Sequence, residues 1–155
     1  MKVEDAGERY RVSIRSLLDI NVLIALLDRA HVHHVLARAW LEANIRGGWA
    51  SCPTTQNGFV RIISQSAYPQ PIPPALAIAR LRSATATAHH VFWNDDLSVL
   101  DPGVIDPERV HGPRQLTDMY LLALAVRNGG RFVTFDTAIA VAAVPGARAE
   151  HLVVL

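Results

Sequence analysis

The feature that most constrains this chain is an alternation. Five short apolar runs, RSLLD (15–19), GWASCP (48–53), HHVFW (89–93), RFVTF (131–135) and EHLVVL (150–155), are separated by longer stretches with helical spacing. Those stretches are INVLIALLD (20–28), HHVLARAWLEANIR (33–46), TTQNGFVRIISQ (54–65), PALAIARLRSA (74–84) and TDMYLLALAVRNGG (117–130). A short helix is also expected at DTAIAVA (136–142). Strands that alternate with helices pair in parallel, because each parallel connection needs a crossover. The expected fold class is therefore α/β: a small central parallel sheet with helices on both faces. Paired glycines at 47–48 and 129–130 mark two helix stops. YPQPIPP (68–74) is a loop rather than a linker, since a helix follows at once.

The length, 155 residues, suits one domain with a real core, and half the residues are hydrophobic. Residues 1–13 are polar and without periodicity; they read as an extension ahead of a domain over 14–155. That extension has no apolar core and does not read as a secretory signal. No apolar stretch approaches the ~18 residues of a membrane-spanning helix. The single cysteine, Cys52, offers neither a disulfide nor a metal framework and suits a reducing cytoplasm. The formal net charge of +1 does not by itself advertise nucleic-acid binding.

Within this frame Asp19 is out of place: it interrupts LLDINVLIALLD, an otherwise apolar run. A buried, unpartnered carboxylate costs several kcal/mol. It must end an element, cap a helix or hold a cation. Asp136 follows the fourth run, and Asp118 opens the helix before it. In open parallel sheets, ligands bind outside the carboxyl ends of the strands, at the point where strand order reverses. Three carboxylates converging there would repel one another unless a cation lay between them. Oxygen ligands of this kind suit Mg²⁺ or Mn²⁺. Taken singly, each aspartate is more simply a helix cap.

The strings SLLDINVLIALLD, GWASCPTTQNGFVRI, FWNDDLSVL and QLTDMYLLALAVRNGGRFVTFD resemble, in this order, the PIN-domain family and within it the VapC-type toxins of toxin–antitoxin pairs. The resemblance runs from about residue 16 to the C-terminus. It implies a metal-dependent endoribonuclease, cytoplasmic, homodimeric, and neutralised by a VapB-like antitoxin. Acidic residues would hold one or two Mg²⁺ or Mn²⁺ ions, which polarise the scissile phosphate, activate a water and stabilise the leaving oxygen. Asp19, Asp118 and Asp136 match the family's acidic positions. Asn21 and Thr134 match residues that would orient carboxylates or metal-bound waters.

One position departs. Many family members carry glutamate where this chain has Gln56, whose amide brings no charge and no basicity. Gln56 is expected to position a metal-bound water. Two alternatives are that Asp95 or Asp96 supplies the missing charge, or that the protein is a weakened nuclease acting as a binding module through antitoxin or RNA. Arg61 and Arg114 are candidates for RNA phosphate contact. His31, His33 and His34 lack ligand spacing for zinc and read as a helix start, and His89 and His90 as a strand start. Trp40, Trp49 and Trp93 read as packing, with base stacking the lesser option for Trp93. Gly58, inside a helix, points to close approach by another backbone. A phosphoaspartate transferase would want D-x-D where Asn21 stands, and no G-x-G-x-x-G follows the first strand, so neither that enzyme nor a dinucleotide-binding domain fits.

Overall fold

The computed structural model describes residues 13–155, so the expected extension lies almost entirely outside the described residues. Five parallel strands form one sheet in the order β3-β2-β1-β4-β5: β1 Ser16–Leu18, β2 Trp49–Ser51, β3 His90–Phe92, β4 Arg131–Thr134 and β5 Leu152–Val154. The chain works outward from β1 to β3 on one side, then crosses to β4 and β5 on the other. The reversal therefore falls between β1 and β4, whose register pairs Ser16 with Arg131 and Leu18 with Val133.

Five helices connect the strands: α1 Ile20–Leu27, α2 His34–Asn44, α3 Pro53–Ile63, α4 Pro74–Thr85 and α5 Leu116–Arg127. Central strands buried on both faces send alternate side chains to two cores. Leu17, Ala50 and Phe132 face α5, among Met119, Leu122, Val104 and Ala143. Leu18, Trp49 and Val133 face the other way, among Leu23, Phe59, Ile63 and Leu81 of α1, α3 and α4. At the amino edge Arg131 donates to Ser16 Oγ (3.0 Å) and Asn44 Oδ1 (2.9 Å) and lies over Trp40, which pins α2 to the sheet.

The expected elements form, with two corrections. No α-helix forms over 136–142. The segment is irregular, with one 3-10 turn at Val141–Ala143. Pro145 and Gly146, the latter at φ +82°, break the chain too soon for a helix of stable length, and burial of Ala143 and Val144 sets the path instead. Gly58 does admit a close neighbour, but it is the side chain of Ile20 in α1, not a backbone. A Cβ at position 58 would lie 2.3 Å from Ile20 Cδ1.

Candidate active site

β1 ends at Leu18, and α1 begins at Ile20 because Asp19 caps it. The Asp19 backbone is extended, and Oδ1 accepts the Ile20 N–H at 2.7 Å. Oδ2 accepts the Thr134 hydroxyl at 2.7 Å across the β1–β4 boundary. The Thr134 Oγ1 in turn accepts the Asp136 N–H at 3.0 Å, and Asp136 Oδ1 accepts the Ala138 N–H at 2.8 Å. Thr134 thus joins the turn after β4 to the cap of α1. Asp118 enters from the first turn of α5.

These three carboxylates lie near enough at the carboxyl edge to feel one another's charge, with Asp19 buried, Asp118 half-buried and Asp136 exposed. Burial raises the pKa of Asp19, the hydrogen bonds from Thr134 and Ile20 lower it, and the charge of Asp136 raises it again, for a net rise. Asp118 is pushed up to about 7, first by burial, then by the charge of Asp19, and then by a hydrogen bond with Asp136 and that residue's charge. Among the described residues no three His, Cys, Asp or Glu side chains already close around one point. The Asp118–Asp136 pair is in contact, while Asp19 is drawn toward Thr134 and Ile20. The donor set itself, all carboxylate oxygens, fits Mg²⁺ or Mn²⁺.

Asn21 is exposed in the first turn of α1. Gln56, in the first turn of α3, donates from Nε2 to Ser51 Oγ at 3.0 Å, and that oxygen lies 2.7 Å from His90 Nε2. Gln56 also lines a groove between α3 and α4 with Asn57, Arg61 and Arg82. The structure therefore turns its amide toward β2 and shows no contact with the carboxylates among the described residues. Arg114 is exposed in the 3-10 turn at Pro113–Gln115, just before α5. Asp95 Oδ2 accepts both the N–H (2.9 Å) and the hydroxyl (2.6 Å) of Thr54, which makes it a cap for α3, and Asp96 lies 3.9 Å from Arg127. Neither stands in for the missing glutamate.

His34 Nδ1 lies 2.7 Å from the Ala25 carbonyl, and His33 packs on Phe135 at 4.9 Å between ring centroids. Trp93 is buried against Gly130, which leaves it no free face for a base. Sequence reasoning missed Ser51, the partner of Gln56, and His90, which bonds to Ser51. They lie 39 residues apart, and no local pattern connects them.

The comparison with known families decides the assignment: the PIN domain model matches residues 16–145. The chain belongs to the PIN domain family. This PIN domain is 60% identical over 142 residues to Ribonuclease VapC44 of Mycobacterium tuberculosis, a match that spans 92% of this chain and 100% of that protein. It is 46% identical to Ribonuclease VapC39 of the same organism over 132 residues, 84% of this chain and 95% of the relative. In fold it is similar to the crystal structure of M. tuberculosis VapC20, described as a sarcin–ricin loop cleaving toxin (TM-score 0.56, 15% identity, 86% of this chain and 98% of that one). It is also similar to a chain of VapBC2 from Rickettsia felis bound to a DNA fragment from their promoter (TM-score 0.53, 11% identity, 79% of this chain and 89% of that one). No helix of this PIN domain, among the described residues, is long and apolar enough to cross a membrane.

Proposed function

We propose that this PIN domain is a VapC-type endoribonuclease toxin that hydrolyses RNA phosphodiester bonds with Mg²⁺ or Mn²⁺ and is neutralised by a cognate antitoxin. One observation supports the reading: Asp19, Asp118 and Asp136 come from three separate elements at the carboxyl edge of the sheet, and burial together with the charges of Asp19 and Asp136 raises Asp118 to about 7. Similarity to ribonucleases VapC44 and VapC39 over most of the chain supports the substrate class.

Asp19, Asp118 and Asp136 would hold the ion. When bound, it supplies Lewis-acid polarisation of the phosphate and a water of lowered pKa. Thr134 holds Asp19 Oδ2 across the β1–β4 boundary, and its contact with the Asp136 N–H ties the two acids to one hydroxyl. Arg61, in the groove between α3 and α4, and Arg114, before α5, are proposed to meet RNA phosphates. Asn21 is proposed to orient a carboxylate or a bound water. Gln56 would have to release Ser51 to do the same, so its role is secondary to the three acids. An antitoxin covering the acidic crevice and a second copy of the chain are the proposed protein partners. Val32, Val35 and Leu36, exposed at and before the start of α2, supply apolar surface for such contacts. The free, buried Cys52 suits a cytoplasmic setting.

The test is cleavage of a structured RNA in Mg²⁺ or Mn²⁺, with and without chelator, by wild type and Asp19→Ala. We expect activity only with the ion, and a loss of at least roughly a hundredfold in the variant. Asp19→Ala also removes a helix cap worth about 1 kcal/mol, so its folding is checked by circular dichroism. Cleavage that survives both chelation and the substitution sinks the proposal.

A further inference from the structure

Asp118 lies in the first turn of α5 and Asp136 in the turn after β4, so their relative placement depends on what ties these two elements together. Gln115 lies three residues before Asp118, at the entry to α5. Its Nε2 donates to the Ala138 carbonyl at 3.4 Å, and its Oε1 accepts the His111 N–H at 3.3 Å. The Ala138 N–H donates to Asp136 Oδ1 at 2.8 Å. Ala138 is therefore held twice, by α5's entry through its carbonyl and by Asp136 through its amide.

We propose that Gln115 is a positioning residue that ties the start of α5 to the turn after β4 and so sets Asp136 against Asp118. The inference rests on the reading of these acids as the metal site. Residues 135–140 form neither helix nor strand; the contacts of Asp136 with Thr134 and Ala138 are internal to this segment, and the Gln115 bond is what reaches across to α5. The bridge also has a direction. His111 offers an N–H and Ala138 a carbonyl, so only one amide orientation satisfies both. A glutamate at 115 keeps the acceptor toward His111, loses the donor toward Ala138, and adds a negative charge close to Asp118.

The experiment uses the full chain stripped of metal. Mn²⁺ affinity is read by calorimetry, and exchange of the Ala138 amide by NMR, in wild type, Gln115→Ala, Gln115→Glu, His111→Ala and Asp19→Ala. We expect Gln115→Ala to weaken Mn²⁺ binding roughly three- to tenfold, the scale of one hydrogen bond, and to speed Ala138 exchange by a similar factor. Gln115→Glu should do at least as much. His111→Ala should leave both readings alone, because the bridge uses only that residue's backbone N–H. Wild-type Mn²⁺ affinity in Gln115→Ala, or an unmoved Ala138 amide, overturns the bridge. If Asp19→Ala still abolishes Mn²⁺ binding in that case, the metal site stands without it. A wild-type chain that binds no Mn²⁺ overturns the metal reading and this inference together.

Discussion

Asp118 shows how a single side chain reports on its neighbours. Its ordinary value is 3.8, and in the fold it stands at about 7 because burial and two nearby carboxylates disfavour its charge. An acid raised by folding keeps its proton where the unfolded chain has lost it. The folded state then binds more protons, and stability falls as pH rises from about 4 through about 7. The metal-free protein should therefore unfold at a lower temperature at about pH 7.5 than at about pH 5, and Asp118→Asn should shrink that difference. Added Mn²⁺ should restore the midpoint at the higher pH, because an ion that binds only the folded state stabilises it. Because burial lowers the pKa of His31 and His90 and so works in the opposite direction, the Asp118→Asn comparison decides: a pH difference identical to wild type contradicts the assignment. Gln56 makes the complementary case. Its amide rests on Ser51 and contributes no charge to the crevice. Gln56→Glu should tighten Mn²⁺ binding roughly tenfold if position 56 can swing to the ion, since affinity rises with ligand charge. Equal affinity by calorimetry would place residue 56 outside the metal's reach.

At the scale of elements, α1 and α3 meet where Gly58 receives Ile20. Ile20 directly follows Asp19, so this contact bears on how the acid is presented. Gly58→Ala would gain about 1 kcal/mol of helix propensity and lose about 1–3 kcal/mol to overpacking against the end of the Ile20 side chain. The expected net loss is about 1 kcal/mol by chemical denaturation, with a fall in cleavage larger than that loss of stability explains. An unchanged rate would show that the start of α1 tolerates the shift. The α3 start is closed off differently. Cys52 is fully buried as the cap, its N–H donates to Thr55 Oγ1 at 3.0 Å, and burial pushes the thiol up to about 11. The failed helix at 136–142 belongs to this scale too. Its residues have helical propensity, but Pro145 and the burial of Ala143 and Val144 override it. Propensity is a weak prior when packing disagrees.

For the whole molecule, the strand order gathers the acids on one edge while the net charge stays near neutral. An edge rich in carboxylates repels phosphate unless ions are present. RNA affinity, read by fluorescence anisotropy, should therefore drop on chelation as well as with rising salt. Affinity indifferent to chelator would remove the metal from the binding step. Much of this architecture is legible in the linear chain. The alternation of short apolar runs with helical spacing dictates a parallel sheet, because buried strands joined by helices have no other compact arrangement. The positions of Asp19, Asp118 and Asp136 beside element ends, and the motifs around them, are local as well. What only the tertiary structure decides depends on contacts across long separations. Thr134 reaches Asp19 over 115 positions, Ser51, which holds the Gln56 amide, meets His90 over 39, and Asp95 spends a carboxylate on Thr54 over 41. Spacing along a chain carries no information about which distant hydrogen-bond partner a side chain selects. That choice is made when the sheet closes and buried polar groups must be satisfied together.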